Sequence, residues 1–409
     1  MKYENMKVCL DSRLIKKGEY FIPVKGEETD GHLYINSAIR NGAVGIIEEQ
    51  WLYDLVREKL SKIRPRIIGV TGSSGKSSVT TFLYQMLETK YRVCLGNLNT
   101  KLGLGVNVIN DMNNDCEIFI AEMGMDKAGE LKETTSLFPP DISVITTINE
   151  THAEKLGSVE NILNAKTEIV DGTIENGFTV LNYDNQYLKD YGGRSPRKVI
   201  WFGLSNEADF NPQNIDISRV NMLGSHNIGN LMACIAICKL IGMNDEEVQR
   251  SLERVHLPKG RLNTIEGLNN STLIDDSYNA SPASTKAALD VLATFADRRK
   301  VAILGDMLEL GQYERDGHED IGRYTNGKVN FLVCVGERAK MIFEKSEVVN
   351  KRWIENSESF GLYVFEPSKD DVVLIKGSQG ARMEKITEKL MLHPDQAEEL
   401  LVRQDARWK

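Results

Sequence analysis

"IIGVTGSSGKSSVTTFLYQML", Ile67 to Leu87, decides how the rest of this 409-residue chain is read. The apolar, β-rich run RPRIIGV ends at a glycine loop, and KSSVTTFLYQMLETK continues at helical period. Strand, loop and helix therefore follow in the order of a phosphate-binding turn. A strict G-x-x-x-x-G-K-[ST] loop would need glycine at position 70, where the chain has Val70, so the loop is the shorter G-x-x-G-K-S beginning at Gly72. Gly72 and Gly75 permit positive φ and close backbone approach, which lets the N–H groups of Thr71 to Ser78 and the helix start face phosphate oxygens. Lys76 adds a point charge for the β- and γ-phosphates, and the Ser77 hydroxyl suits Mg²⁺.

Outward from this loop the alternation continues. CEIFIAEMG, DISVITTI, FTVLN and RKVIWFG read as strands, while SVENILNAKTEIV and GNLMACIAICKLIG read as helices. That alternation predicts a mostly parallel sheet covered by helices. After LPKGRL a second series begins: STLIDDSY, SPASTKAALDVLATF, KVAILGDM, NFLVCVGE and DVVLIKGS, ending in the helix RMEKITEKLM. The restart predicts another α/β domain beyond a hinge near Pro258 to Arg261. The first residues form a smaller block with its own glycine turns, KKGEYFIPVKGEETDGH. The expected division is 1–65, 66–258 and 259–409.

Composition sets outer limits. Charged residues make up 27% and hydrophobic ones 41%, as in an ordinary globular protein, and the net charge of -9 argues against a broad grip on nucleic acid. The start MKYENMKVCL has no signal-peptide core, and no apolar run reaches membrane-span length. The six cysteines include no C-x-x-C pair; Cys234 and Cys238 lie a helical turn apart in an apolar run, where buried thiols are expected. A reducing cytoplasm is the expected location.

Three polar groups stand out. Glu122 ends an apolar strand, on the side where parallel sheets place ligands, and His152 follows another strand end. Lys166 lies i+4 from Ile162, i+3 from Leu163 and i−3 from Ile169, on the apolar face of its helix, where a lysine is rarely buried without a partner. By periodicity alone Lys166 could equally snorkel to solvent and His152 could be a satisfied core histidine.

The loop GVTGSSGKSS, with GNLNTKLGLGVNVI, AEMGM, TTINETHAEKLGSVENILNAKTEIV, GSHNIGNLMACIAI, GRLNTIEG, LIDDSYNASPASTKAAL, VAILGDMLELG and VLIKGSQGARMEK, resembles the Mur ligase family along nearly the whole chain. DDSYNASP and LGDMLELG favour the branch that adds D-alanyl-D-alanine to UDP-MurNAc-tripeptide. The resemblance implies an α/β protein of three domains: a small N-terminal UDP-sugar-binding domain, a central P-loop ATPase domain with a mostly parallel sheet, and a C-terminal Rossmann-like domain. It implies ATP-dependent amide formation through an acyl phosphate in peptidoglycan precursor synthesis, by a monomer with small-molecule substrates. Position by position, it implies Ser77 and Glu122 at a first Mg²⁺, and Glu122, His152 and Lys166 at a second, with Lys166 carbamylated by CO₂. Asn227, Asn230 and Asn279 would flank the nucleotide, Arg261 would reach the γ-phosphate and Asp276 would orient that arginine or the ribose. Lys376 and Arg382 would belong to the part of the last domain facing the incoming amine, and Ser12, Arg13, Asp30 and His32 would lie near the uridine.

The chain departs from the pattern in three places. It begins almost at DSR, so part of the nucleotide-sugar pocket is expected to be missing. The segment between KVIWFG and GSHNIGN is short, and Gln379 stands where arginine is usual, which removes a fixed charge. A relative joining a different amino acid, or a P-loop kinase or switch needing neither Lys166 nor Arg261, remains an alternative.

Overall fold

The structure, a computed structural model, describes residues 6–26, 29–150, 153–218, 220, 222–405 and 408. Three sheets follow one another along the chain. The first is small and parallel, with strands β1 (Val8–Cys9), β2 (Tyr20–Phe21) and β3 (Gly45–Ile46). The helix Glu49–Ile63 follows it and buries Leu52, Leu55 and Val56. Leu52 lies in one apolar cluster with Leu104 and Phe119 of the next unit, so the first block packs onto the second.

The second sheet is wholly parallel, in the order β5-β6-β4-β7-β8-β9. Its strands are β4 (Arg66–Thr71), β5 (Val93–Gly96), β6 (Ile118–Glu122), β7 (Ile142–Ile145), β8 (Phe178–Asn182) and β9 (Lys198–Phe202). β4 to β8 are apolar for nearly their whole length because helices cover both faces. One face meets the helices Lys101–Asp111 and Val159–Asp171; the other meets Lys76–Leu87 and Ser225–Ile241. The last is apolar on every side and accordingly buried, with Cys234 and Cys238 fully enclosed as free thiols. β4, which carries the glycine loop at its end, lies between β6 and β7, where successive connections leave in opposite directions and open a crevice.

The third sheet runs β10-β11-β15-β12-β13-β14, with β10 (Asn263–Glu266) antiparallel to β11 (Thr272–Asp276) and the others parallel. The remaining strands are β12 (Arg299–Gly305), β13 (Phe331–Val335), β14 (Asn350–Ile354) and β15 (Asp371–Lys376). Register places Asp276 beside Lys376 where β11 and β15 end. Among the described residues the chain passes from the second sheet to the third once, through the segment around Pro258 to Arg261. A second junction lies elsewhere: Gly311, at φ +53°, sits so close to Glu154 that a Cβ would come within 2.6 Å of its Cα. Beside it Gln312 Nε2 donates to the Gly157 carbonyl at 3.0 Å.

Candidate active site

The loop after β4 is held from behind. At Gly72, φ +145°, a Cβ would lie 1.9 Å from Thr146 Oγ1, so no other residue fits. Thr146 Oγ1 donates to the carbonyls of Thr71 and Ser74, Ser73 N donates to Thr147 O at 2.8 Å, and Asn149 N donates to Ser73 Oγ at 3.1 Å. Gly75, at φ +87°, then opens the helix Lys76–Leu87. The loop N–H groups and this helix start form the concave, positively polarised surface that accepts phosphate.

Lys76 Nζ donates to Gly72 O at 2.8 Å, and its enclosure, with Arg261 close by, lowers its pKa against the opposing pull of Glu122. Ser77 Oγ donates to Glu122 Oε1 at 3.2 Å. Adjacent oxygens around an octahedral Mg²⁺ bonded at about 2.1 Å stand about 3 Å apart, so this pair fits one magnesium ion.

Lys166 is wholly buried, and among the described residues its Nζ has no hydrogen-bond partner. Burial, and after it the charge of Lys76, drives its pKa well below that of an ordinary lysine. The apolar stripe read from the sequence therefore encloses the amine and does not let it snorkel. His152 lies outside the described residues, and among these no cluster of three or more His, Cys, Asp or Glu side chains could hold a metal.

A cleft of about 530 Å³ gathers residues from all three units. Val24 and Tyr53 come from the first, Ser73 to Ser77 and Glu122 from the second, and Arg261, Tyr278, Asn279, Glu309 and Gln379 from the third. The Arg261 guanidinium lies 4.2 Å from the Tyr278 ring centroid, and its Nε has no partner among the described residues. Glu309 holds a left-handed backbone at φ +65°, and burial raises its pKa.

Other expected residues lie elsewhere. Thr71, Gly72 and Ser78 sit behind the loop and do not line the cleft, Thr71 and Ser78 being buried. Asn227 donates its amide to Leu223 O at 2.8 Å, and Asn230 packs behind Gly75, so neither faces the cleft. Asp276 does not reach Arg261: it accepts from Lys376 Nζ at 2.7 Å, and the same ammonium donates to Asn279 O at 2.9 Å. Lys376 is thus buried under the Asp276–Asn279 turn. Arg382 pairs with Glu384 and borders a separate hollow beside Trp408. Ser12 is buried, Arg13 pairs with Asp11, and Asp30 caps a turn through His32; none of them lines the cleft. Sequence reasoning missed Thr146 and Tyr278, although Tyr278 stands inside the DDSYNASP motif.

A family model for the Mur ligase middle domain matches residues 70–238, and one for the Mur ligase, glutamate ligase domain matches 260–379. The UDP-N-acetylmuramoyl-tripeptide–D-alanyl-D-alanine ligase of Bacillus subtilis (strain 168) is 30% identical over 434 residues, covering 95% of this chain and 93% of its own. Its Escherichia coli K12 counterpart is 27% identical, covering 94% and 93%. Among solved structures, MurF ligase from Thermotoga maritima in complex with ADP superposes with a TM-score of 0.81 at 26% identity, over 96% of this chain and 98% of that one. MurF from Acinetobacter baumannii, at 23% identity, shares the fold with a TM-score of 0.83 over 93% and 92%.

Proposed function

Because the chain belongs to the Mur ligase family, we propose that it joins D-alanyl-D-alanine to UDP-N-acetylmuramoyl-tripeptide with ATP, an amide-forming step of peptidoglycan precursor synthesis. The observation that carries this reading is the convergence of Lys76, before the hinge, and Arg261, beyond it, on one cleft that also holds Ser77 and Glu122.

In the reaction, an oxygen of the tripeptide's terminal carboxylate attacks the γ-phosphorus, the bond to the bridging oxygen breaks, and ADP leaves. The amine of the dipeptide then attacks the acyl carbon; phosphate departs and the nitrogen loses a proton as the amide forms. Phosphoryl transfer asks the protein mainly for positioning and charge neutralisation. The loop N–H groups hold the phosphates, while Lys76 and Arg261 put positive charge where the transferring group gathers negative charge. Lys76 must exchange its Gly72 carbonyl for a phosphate oxygen as ATP enters.

Ser77 and Glu122 would hold one Mg²⁺, which when bound offsets phosphate charge. A carbamate formed from CO₂ on Lys166 would, with Glu122 and His152, hold a second. The orphaned amine supports this reading, since carbamylation converts a buried cationic group into an anion beside a metal. The uridine end would lie beyond the cleft on the first block, at Ser12, Arg13, Asp30 and His32. The succession of three sheets supports a division at 1–65, 66–258 and 259–409. One chain supplies every residue of the cleft, which suits a monomer, and the free thiols suit the cytoplasm. Among the described residues no helix is long and apolar enough to cross a membrane.

Gln379, neutral and in the cleft wall, favours one second reading, a different acceptor amine. Phosphate release from ATP and UDP-MurNAc-tripeptide should require D-alanyl-D-alanine. Release driven by another amine alone would move the assignment to that acceptor, and release needing no amine would remove ligation.

A further inference from the structure

The C-terminal tail is tied to the turn that carries the cleft arginine. Arg403 is nearly buried, with 5% of its side chain exposed, although it stands outside the sheet it serves. Its Nη1 donates to Ser277 O at 3.0 Å and pairs with Glu384 Oε2 at 3.1 Å, and its Nη2 donates to Tyr278 O. Its guanidinium lies 5.7 Å from the Tyr278 ring centroid, the ring that also carries Arg261 at 4.2 Å. Glu384, whose side chain is 1% exposed, anchors the arrangement by taking Arg382 on its other oxygen.

The connection continues into the hinge. Tyr278 N donates to Gly260 O at 3.1 Å, and a Cβ on Gly260 would meet Tyr278 N at 3.0 Å and Val402 Cγ1 at 3.1 Å. Lys259 Nζ donates to Glu398 O at 2.9 Å. Arg382 and Arg403 both hold left-handed backbones, at φ +52° and +58°. Such strain in non-glycine residues persists where surrounding contacts impose it.

We propose that Arg403 is a positioning residue for the phosphoryl-transfer step, acting through the Ser277–Tyr278 turn to hold Arg261 over the cleft. The proposal rests on the ligase reading for its kinetic consequence but on the contacts above for its structural one. Each carbonyl of the turn is fixed by one arm of the guanidinium, and a planar fork does this where a flexible group cannot. With the fork removed the turn and the Tyr278 ring gain freedom, and Arg261 spends less time where transition-state charge develops. Loss of such placement lowers kcat and leaves KM for ATP almost unchanged.

The test uses the full chain with Arg403→Gln and Arg403→Lys, each alone and combined with Arg261→Ala. In the Arg261 background each variant should lower kcat by roughly tenfold or more, with KM for ATP within about twofold. In the Arg261→Ala background neither should lower it further, because two residues acting through one group do not add. Millimolar guanidinium should restore part of the activity of Arg403→Ala. Multiplicative losses, or a loss confined to KM, would overturn the proposal. Hydrogen exchange provides an arm independent of ligation: the Tyr278 amide should lose protection in Arg403→Gln while β12 keeps its own. Unchanged protection at Tyr278 refutes the brace even in a chain that ligates nothing, and equal loss in β12 reduces Arg403 to general stability.

Discussion

Replacing Lys166 by methionine should stabilise the body around the second sheet and at the same time remove ligation. The amine is wholly buried among Ile162, Leu163, Ile169 and their neighbours, and no described group accepts from it. Leaving a buried polar group unmatched costs about 1–3 kcal/mol. Methionine keeps nearly the same length and volume without the polar atom. In protein freed of bicarbonate the variant should therefore melt higher, by about 2–4 °C for each kcal/mol in a body of this size. With Mg²⁺ and a non-hydrolysable ATP analogue already present in both, bicarbonate should raise the melting temperature of the parent further, because the carbamate gains metal contacts, and should leave that of the variant unchanged. Turnover in the phosphate-release assay should fall ~10² or more in the variant, since charge stabilisation at the transferring group is lost. Small carboxylates should return part of the turnover of Lys166→Ala by filling the vacated space with the missing anion, and should do nothing for Lys166→Arg. A methionine variant that still ligates, or a parent indifferent to bicarbonate, refutes the carbamate and leaves Lys166 an inert buried amine.

Three other changes have definite expected outcomes. Lys76→Ala should lower kcat by ~10² or more with the circular dichroism spectrum unchanged; near-parental turnover would take the loop out of the mechanism. Gly72→Ala should abolish ATP binding in a thermal-shift titration, because its methyl meets Thr146 Oγ1 at 1.9 Å and the φ of +145° resists any side chain; parental affinity would show that the clamp yields. Burial pushes Asp275 up to about 6, so between pH 4 and 6 the folded chain keeps a proton that the unfolded chain has released. Stability should accordingly fall as pH rises through that window, by about 1 kcal/mol per unit, and Asp275→Asn should flatten the slope in urea titrations.

The succession of strands and helices was legible because buried parallel strands are continuous apolar runs and their covering helices keep a 3.6 period. β14, NKRWI, was not, because an edge strand half-open to solvent carries charges that read as loop. Lys166 was placed on the correct stripe, but its enclosure depends on what packs against the helix, which periodicity does not contain. The pairing of Asp276 with Lys376 spans 100 residues and follows from strand register alone. Arg382 was expected from the resemblance alone in the part of the last domain facing the amine; its left-handed backbone and Glu384 turn it toward the tail. Thr146 looks in sequence like any strand-end threonine, and only the missing Cβ of Gly72 reveals its task.

The junction of Gly311 with Glu154 has a mechanical consequence. A rigid body free in space has six ways to move, and one attached by a single flexible strand of chain retains nearly all its rotations. Pinning a second point removes all but one of them, so that the body can only swing about the line joining the two. Where the hinge at Gly260 and the Gly311 contact both hold, the third sheet can turn only about the line joining them, as a door on its axle. Arg261 lies beside one of these two points, where a given swing moves it least. Groups farther from the axle sweep longer arcs, and the width of the entrance can therefore change while the placement of the arginine hardly does.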